Sequence, residues 1–163
     1  MNALAYRSQA SRPTTRAGTT HAARAQTDHG PAAPGANGRP LRAVIVDDSP
    51  SLLRVLSSLL GQESNVQLVG CATDGYAAVR RVTELKPDLV LMDLHLPGIN
   101  GLEATRQIKA RFPAPTVILV TADDTPGCRK AALAAGTNAF VDKQRLSTRL
   151  RPAFRKLFPK PDR

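Results

Sequence analysis

The stretch LVLMDLHLPGINGLE, residues 89–103, carries four apolar residues straight into an acid, Asp93. A short apolar run without polar alternation is typical of a strand that is covered on both faces of a parallel sheet. Pro97 and Gly98 follow after three residues and predict a turn. A carboxylate at the exit of a buried strand costs free energy unless its charge is compensated or used. The sequence therefore singles out Asp93 as a candidate functional residue.

Four further β-rich runs accompany this one, and longer segments of helical period separate them. The five runs are Arg42–Val46, Val66–Ala72, Asp88–Asp93, Thr116–Thr121 and Asn138–Val141. Leu146, Leu150 and Phe154 give one of the helical faces, and a fourth helix is predicted over Lys130–Ala135, before the stop signal of Gly136. Strands that alternate with helices indicate a parallel sheet covered on both sides. We predict a flavodoxin-like (βα)5 fold, a doubly wound parallel five-stranded sheet.

The net charge of +10 is concentrated outside the predicted fold. Residues 1–42 carry six Arg and one Asp, and residues 144–163 carry seven basic residues and one Asp, whereas residues 43–143 are nearly neutral. Residues 1–40 lack apolar periodicity and cannot build a core. We predict a disordered basic N-terminal extension over 1–40, one folded domain over 41–158 and a short basic tail over 159–163.

Composition excludes several classes of function. The chain has no Trp and only 4% aromatic residues, which argues against the stacking of nucleic-acid bases on aromatic side chains. Cys71 and Cys128 are far apart and form no zinc or disulfide pattern. Because no apolar run is long enough for a membrane span and no secretory signal is present, we expect a cytoplasmic protein.

Polar side chains gather where the predicted strands end. The first run delivers Asp47 and Asp48, with Ser49 as a helix cap and Pro50 at the first helical position. The third run ends at Asp93, the fourth ends at Thr121, and the fifth leads to Lys143. In sheets of this type ligands bind outside the carboxyl ends of the strands. These side chains therefore share one candidate site.

Three neighbouring carboxylates repel one another and favour either a raised, coupled pKa or a bound cation. Oxygen ligands suit Mg²⁺, which also bridges phosphate oxygens. An acid that attacks phosphorus, with Lys143 and Thr121 receiving the phosphoryl oxygens, would use every group at the site. The predicted chemistry is phosphoryl transfer to an Asp.

Four segments in order resemble the receiver domains of two-component response regulators. They are VIVDDSP, LVLMDLHLPGINGLE, LVTADD and AFVDK, and the resemblance covers residues 42–158. The stretch SNVQLVGCATDGYAAVRRVTELKPDLVLMDL is most similar to receivers of the NarL/FixJ type. Those usually precede a helix-turn-helix domain, and about twenty residues after Lys143 leave no room for one. We therefore expect a stand-alone receiver that does not bind DNA directly.

The resemblance implies a role for each acid. Asp93 is expected to accept a phosphoryl group from a histidine kinase or a histidine phosphotransfer protein. Asp48 and Asp93 would bind Mg²⁺ directly, Asp47 largely through water, and His95 through its backbone carbonyl. A role for the His95 side chain is left open.

The remaining implied roles concern switching. Lys143 would pair with Asp93 or its phosphoryl group, Thr121 would move toward the phosphoryl oxygens, and Phe140 would turn inward behind it. The fourth helix, fifth strand and fifth helix would then present a changed surface to a downstream protein. The basic residues of the fifth helix are explained most simply by a solvated outer face, and the sharper hypothesis is that this downstream protein is acidic. A homodimer that depends on phosphorylation is left open.

The resemblance also implies that the chain is not an enzyme, but a phosphoacceptor with self-dephosphorylation at most. One alternative is the receiver half of a truncated NarL/FixJ-type transcription factor. A remote alternative is a phosphatase of the haloacid-dehalogenase type, which also uses a strand-end Asp with Mg²⁺. That family places a second acid two residues after the nucleophile, where this chain has His95.

Overall fold

The structure is a computed structural model that describes residues 39–111 and 113–159. The predicted disordered extension therefore lies outside the described residues, apart from Arg39 and Pro40. The predicted tail also lies outside them, apart from Pro159.

Strands and helices alternate along the described chain. The strands are β1 Leu41–Val46, β2 Val66–Ala72, β3 Leu89–Asp93, β4 Thr116–Thr121 and β5 Ala139–Asp142. The α-helices are α1 Pro50–Gly61, α2 Gly75–Leu85, α3 Gly101–Lys109, α4 Pro126–Ala134 and α5 Leu146–Leu157, with a 3-10 turn at Lys143–Arg145 before the last. The predicted order is confirmed, and each predicted strand agrees with the observed one to within one residue.

The five strands form one parallel sheet in the order β2-β1-β3-β4-β5. The chain moves outward from β1 in one direction to β2 and in the other through β3 to β5, so the order reverses between β1 and β3. Such a reversal opens a crevice at the carboxyl ends of the two central strands. Asp93 pairs in register with Val120 of β4 and is the last residue of β3, at that crevice.

Both faces of β3 are buried. Val90 and Met92 belong to one apolar cluster, which packs against α2, α3 and α4, whereas Leu89 and Leu91 belong to a second, which packs against α1 and α5. This double coverage explains why residues 89–92 lack polar alternation. It also fixes the register that places Asp93 at the end of the strand.

Side-chain caps define where the helices begin. Ser49 caps α1 by accepting a hydrogen bond from Leu52 N–H, with Pro50 at the first helical position. Thr125 caps α4 in the same way, and Pro126 follows it, so α4 begins four residues before the predicted Lys130. The longest described helices have 12 residues, and among the described residues no helix combines the length and apolar character needed to cross a membrane.

Candidate functional site

Asp47 and Asp48 occupy different environments at the end of β1. The Asp47 side chain is fully buried, and its Oδ1 accepts a hydrogen bond of 2.9 Å from the Ser49 N–H. The same turn that starts α1 therefore also fixes this carboxylate. Asp48 is exposed, but one of its carboxylate oxygens lies within 4.8 Å of oxygens of Asp47 and Asp93.

Asp93 is held at the end of β3 by a tight turn of the main chain. Its side chain is only 2% exposed. The Gly101 N–H donates to the Leu94 carbonyl at 2.9 Å, and a Cβ atom at Gly101 would lie 1.8 Å from the Asp93 carbonyl oxygen. Only glycine permits this approach, which brings the start of α3 against the end of β3.

Lys143 bridges the two buried acids. It follows β5 directly, and its Nζ lies 2.8 Å from Asp47 Oδ2 and 2.9 Å from Asp93 Oδ2. Burial alone would lower the pKa of this ammonium group, but its contacts with both carboxylates outweigh burial and raise the pKa of Lys143. The lysine is therefore held in its charged form.

Negative charge exceeds positive charge at this crevice. Ligand oxygens of Asp47, Asp48 and Asp93 lie within 4.8 Å of one another, with Lys143 as the cation that bridges them. Burial raises the pKa of Asp93, the Lys143 ammonium opposes that rise only in part, and the charge of Asp47 adds to it. Among the described residues, buried Asp93 Oδ1 has no hydrogen-bond partner. The site can accept a further cation or an electrophile at that oxygen.

Thr121 ends the neighbouring strand β4 and is fully buried. It stands one residue beyond Val120, the register partner of Asp93. Its Oγ1 accepts a hydrogen bond of 3.1 Å from the Asp123 N–H, which leaves the hydroxyl proton free to donate.

Phe140 and His95 lie at the margins of the site. Phe140 is half-buried on β5, and the Arg129 guanidinium lies 4.5 Å from its ring centroid. His95, two residues after Asp93, is exposed. The structure thus brings oxygens of the three predicted acids within 4.8 Å of one another and puts Lys143 in contact with Asp47 and Asp93. Thr121 lies at the end of the adjacent strand, and the roles assigned to all of these residues stay predictions.

Two contacts at the site were missed by the sequence analysis. Lys143 was expected to meet Asp93, but its equal contact with Asp47 was not anticipated. Arg129 was not singled out, because nothing in the spacing of α4 shows that this exposed side chain reaches a ring on β5. Both contacts depend on how separate strands and helices pack.

Comparison with known proteins gives the class of the chain. The family model for the response regulator receiver domain matches residues 43–155. The chain belongs to this family, and its matched part is a receiver domain of a two-component response regulator. The predicted resemblance to response regulator receivers is confirmed.

Individual members of the family are similar to this chain. A protein-glutamate methylesterase/protein-glutamine glutaminase from Anaeromyxobacter dehalogenans is 38% identical over 122 residues, covering 73% of this chain and 33% of the relative. The response regulator domain of Thermotoga maritima CheB has a TM-score of 0.66 at 29% identity, covering 76% of this chain and 100% of that one. The receiver domain of NarL from Mycobacterium tuberculosis has a TM-score of 0.69 at 28% identity, covering 73% and 96%.

These relatives correct one prediction. The chain was expected not to be an enzyme, but the curated relatives are named as enzymes, protein-glutamate methylesterases and glutaminases. The chain spans about a third of the length of these relatives. The prediction went wrong because it was drawn from receiver motifs alone, and those motifs carry no information on the activity of a longer protein.

Proposed function

We propose that this receiver works as a phosphorylation switch in which Asp93 is the phosphoacceptor. The observation that carries the proposal is the buried Asp93 carboxylate, with Oδ2 held by Lys143 and Oδ1 without a partner among the described residues. A carboxylate that is fixed at one oxygen and open at the other is positioned to attack phosphorus. Its strand is rigid, since every residue of β3 is buried.

The protein groups around Asp93 provide the electrostatic part of the reaction. Lys143 would stabilise the charge of the transferred phosphoryl oxygens, and the free hydroxyl proton of Thr121 would donate to one of them. Burial excludes water, which strengthens both interactions. Asp47 keeps Lys143 in place through its own contact of 2.8 Å.

The carboxylate cluster fits a magnesium ion. Its donors are hard oxygens within 4.8 Å of one another, and one of them, Asp93 Oδ1, is buried without a partner. We propose that Asp48 and Asp93 hold Mg²⁺ directly, with Asp47 acting largely through water and His95 through its backbone carbonyl. Bound Mg²⁺ would neutralise the acids and the incoming phosphoryl charge.

The phosphoryl donor in this proposal is a histidine kinase or a histidine phosphotransfer protein. The output is a change in the surface formed by α4, β5 and α5, caused by movement of Thr121 and Phe140. A downstream protein, or a second phosphorylated copy of the chain, would bind that surface. Membership of the receiver family supports both this phosphoryl donor and this output surface.

Some basic residues at α5 are already paired with acids of the same chain, which limits the cations that could bind an acidic partner. Arg151 is paired with Glu63, and Arg145, in the 3-10 turn before α5, has its Nε 3.8 Å from Asp142 Oδ2. Three exposed cations of α5 form no ion pair among the described residues: Arg149, Arg155 and Lys156. An acidic partner would therefore be recognised by these three rather than by the whole basic helix.

Acetyl phosphate with Mg²⁺ tests the proposal directly. The wild-type protein is expected to form a base-labile adduct one phosphoryl group heavier, as measured by intact mass spectrometry. Asp93→Asn should form none, because the amide is not a nucleophile. Asp88→Asn is a matched control: it changes an acid at the other end of the same strand and should leave the adduct intact.

An adduct in Asp93→Asn, or none in wild type, would overturn the assignment of Asp93. Repeating the wild-type reaction with EDTA separates the metal from the acceptor. Loss of the adduct with EDTA supports the magnesium site, and an unchanged yield would contradict it.

The curated relatives favour a more specific output, control of a protein-glutamate methylesterase or glutaminase. The supporting observation is identity of 35–38% to the part of these enzymes that the chain matches. Adding the phosphorylated chain to a methylesterase from the same cell should change the rate of methyl-ester hydrolysis. Equal rates with phosphorylated and unphosphorylated protein would contradict this output.

A further inference from the structure

Arg129 makes two contacts that join the loop after β4 to the aromatic residue of β5. Its guanidinium lies 4.5 Å from the ring centroid of Phe140, within the range of a cation–π interaction. It also forms an ion pair with Asp124 in the loop between β4 and α4. The arginine is thus held from one side by a carboxylate and faces the ring with the other.

The same loop is tied residue by residue to Thr121. The Asp123 N–H donates to Thr121 Oγ1 at 3.1 Å, and the Thr125 N–H donates to Asp123 Oδ1 at 3.1 Å. Thr125 in turn caps α4, and its carbonyl accepts from the Arg129 N–H at 3.0 Å. A displacement of Thr121 therefore moves the segment that carries both Asp124 and Arg129.

We propose that Arg129 is a positioning residue that holds the half-buried Phe140 ring in the orientation seen here and so opposes its movement in the switched state. The inference rests on the proposed function, because it concerns the movement of Thr121 and Phe140 on phosphorylation. When Thr121 moves toward a phosphoryl group, the segment that carries Asp124 and Arg129 moves with it, whereas Phe140 turns inward on β5, so the ring and the guanidinium separate. The contact with Arg129 is then lost.

The solvent exposure of the Arg129 side chain sets the size of the expected effect on phosphoryl-analogue binding. The Arg129 side chain is about half exposed, so both its ion pair and its contact with the ring are screened by water. A cation–π contact at such a site corresponds to about a two- to five-fold change in an equilibrium constant. Because a ligand shifts a conformational equilibrium only by its differential affinity for the two states, removing Arg129 should strengthen phosphoryl-analogue binding by that factor.

The experiment compares Arg129→Gln with Lys130→Gln, the neighbouring exposed lysine on the same helix. Without ligand, aromatic NMR spectra should show a shift of the Phe140 ring resonances in Arg129→Gln and none in Lys130→Gln. With Mg²⁺ and beryllofluoride, a phosphoryl analogue, the Kd should fall about two- to five-fold in Arg129→Gln and stay unchanged in Lys130→Gln. Arg129→Lys, which keeps the charge, should lie between wild type and Arg129→Gln.

A double-mutant cycle identifies the ring as the cause. In a Phe140→Leu background, Arg129→Gln should no longer change the Kd for beryllofluoride. Equal Kd values for wild type and Arg129→Gln, or an effect that persists without the ring, would overturn the inference. Failure of wild type to bind beryllofluoride would instead overturn the proposed function, and with it the inference that rests on that function.

Discussion

Strand β3 has an acid at each end, and the two acids have opposite surroundings. Asp88, just before the strand, accepts hydrogen bonds of 2.8 Å at both oxygens from the Arg39 guanidinium and one of 2.9 Å from the Arg42 N–H. Asp93, at the other end, shares one lysine with Asp47 and leaves Oδ1 without a partner among the described residues. The first carboxylate is neutralised within the fold, whereas the second keeps capacity for a ligand.

The lysines at the two ends of the sheet also differ in their electrostatic surroundings. Lys109, near the amino ends of β4 and β5, donates to the Pro115 carbonyl and to Asn138 Oδ1, both at 2.6 Å. Burial lowers its pKa, and no carboxylate in the described part of the chain compensates for this. Lys143 lies between two carboxylates, which raise its pKa in spite of burial. At the amino end of the sheet the polar groups satisfy one another through hydrogen bonds and ion pairs. At the carboxyl end the carboxylates outnumber the cations, which leaves negative charge that a ligand can use.

The largest stability effect is expected from Lys143→Met in buffer that contains EDTA. This change leaves two buried carboxylates without their cation, and breaking such a pair from one side costs about 3 kcal/mol of unfolding free energy. Urea denaturation measures that loss. Mg²⁺ should restore more stability to Lys143→Met than to wild type, because the ion replaces the missing positive charge.

Lys130→Met is the matched control, since that lysine is exposed on α4. It should change the unfolding free energy by less than about 0.5 kcal/mol. Equal losses in the two variants would show that Lys143 does not hold the acids together.

A smaller loss is expected from Asp88→Ala. The Arg42 N–H loses its partner and Arg39 loses a two-point ion pair, but the Arg39 side chain is 38% exposed and is hydrated instead. We expect a loss of about 2 kcal/mol by urea denaturation. Beryllofluoride affinity should be unchanged, because this acid is five residue steps along the strand, roughly 16 Å, from Asp93. A weakened affinity would contradict the division of the sheet into a structural and a functional end.

The smallest effect on stability is expected from Asp93→Asn, which should stabilise the protein, whereas the two variants above destabilise it. The folded-state pKa of Asp93 is raised, mainly by burial, so wild type loses stability as pH rises from the ordinary carboxyl pKa through the folded value. In EDTA, Asp93→Asn should therefore be more stable than wild type at neutral pH. The difference should vanish at pH below the ordinary carboxyl pKa, where both side chains are neutral. Thermal denaturation from pH 3 to 8 measures it, and a variant less stable than wild type at pH 7 would contradict the charge excess at this end.

Much of the fold and of the site could be predicted from the sequence, because local patterns carry them. The apolar run before Asp93 is long enough for one buried strand, and the Ser49-Pro50 pair specifies the start of a helix. Parallel strands end at one edge of a sheet, so strand-end residues such as Asp47, Asp93 and Lys143 had to be neighbours. The start of α4 was predicted late, although Thr125-Pro126 carries the same capping signal as Ser49-Pro50.

Only the tertiary structure decided which of the neighbouring side chains form ion pairs with one another. The sequence determined that acids and a lysine meet at the end of the sheet, yet it could not show that Lys143 contacts Asp47 and Asp93 equally or that Asp93 Oδ1 is left open. It also gave no sign that Arg129 lies over Phe140. Periodicity and capping are local properties of the chain, whereas these contacts depend on the distances between elements that pack together only in the folded state.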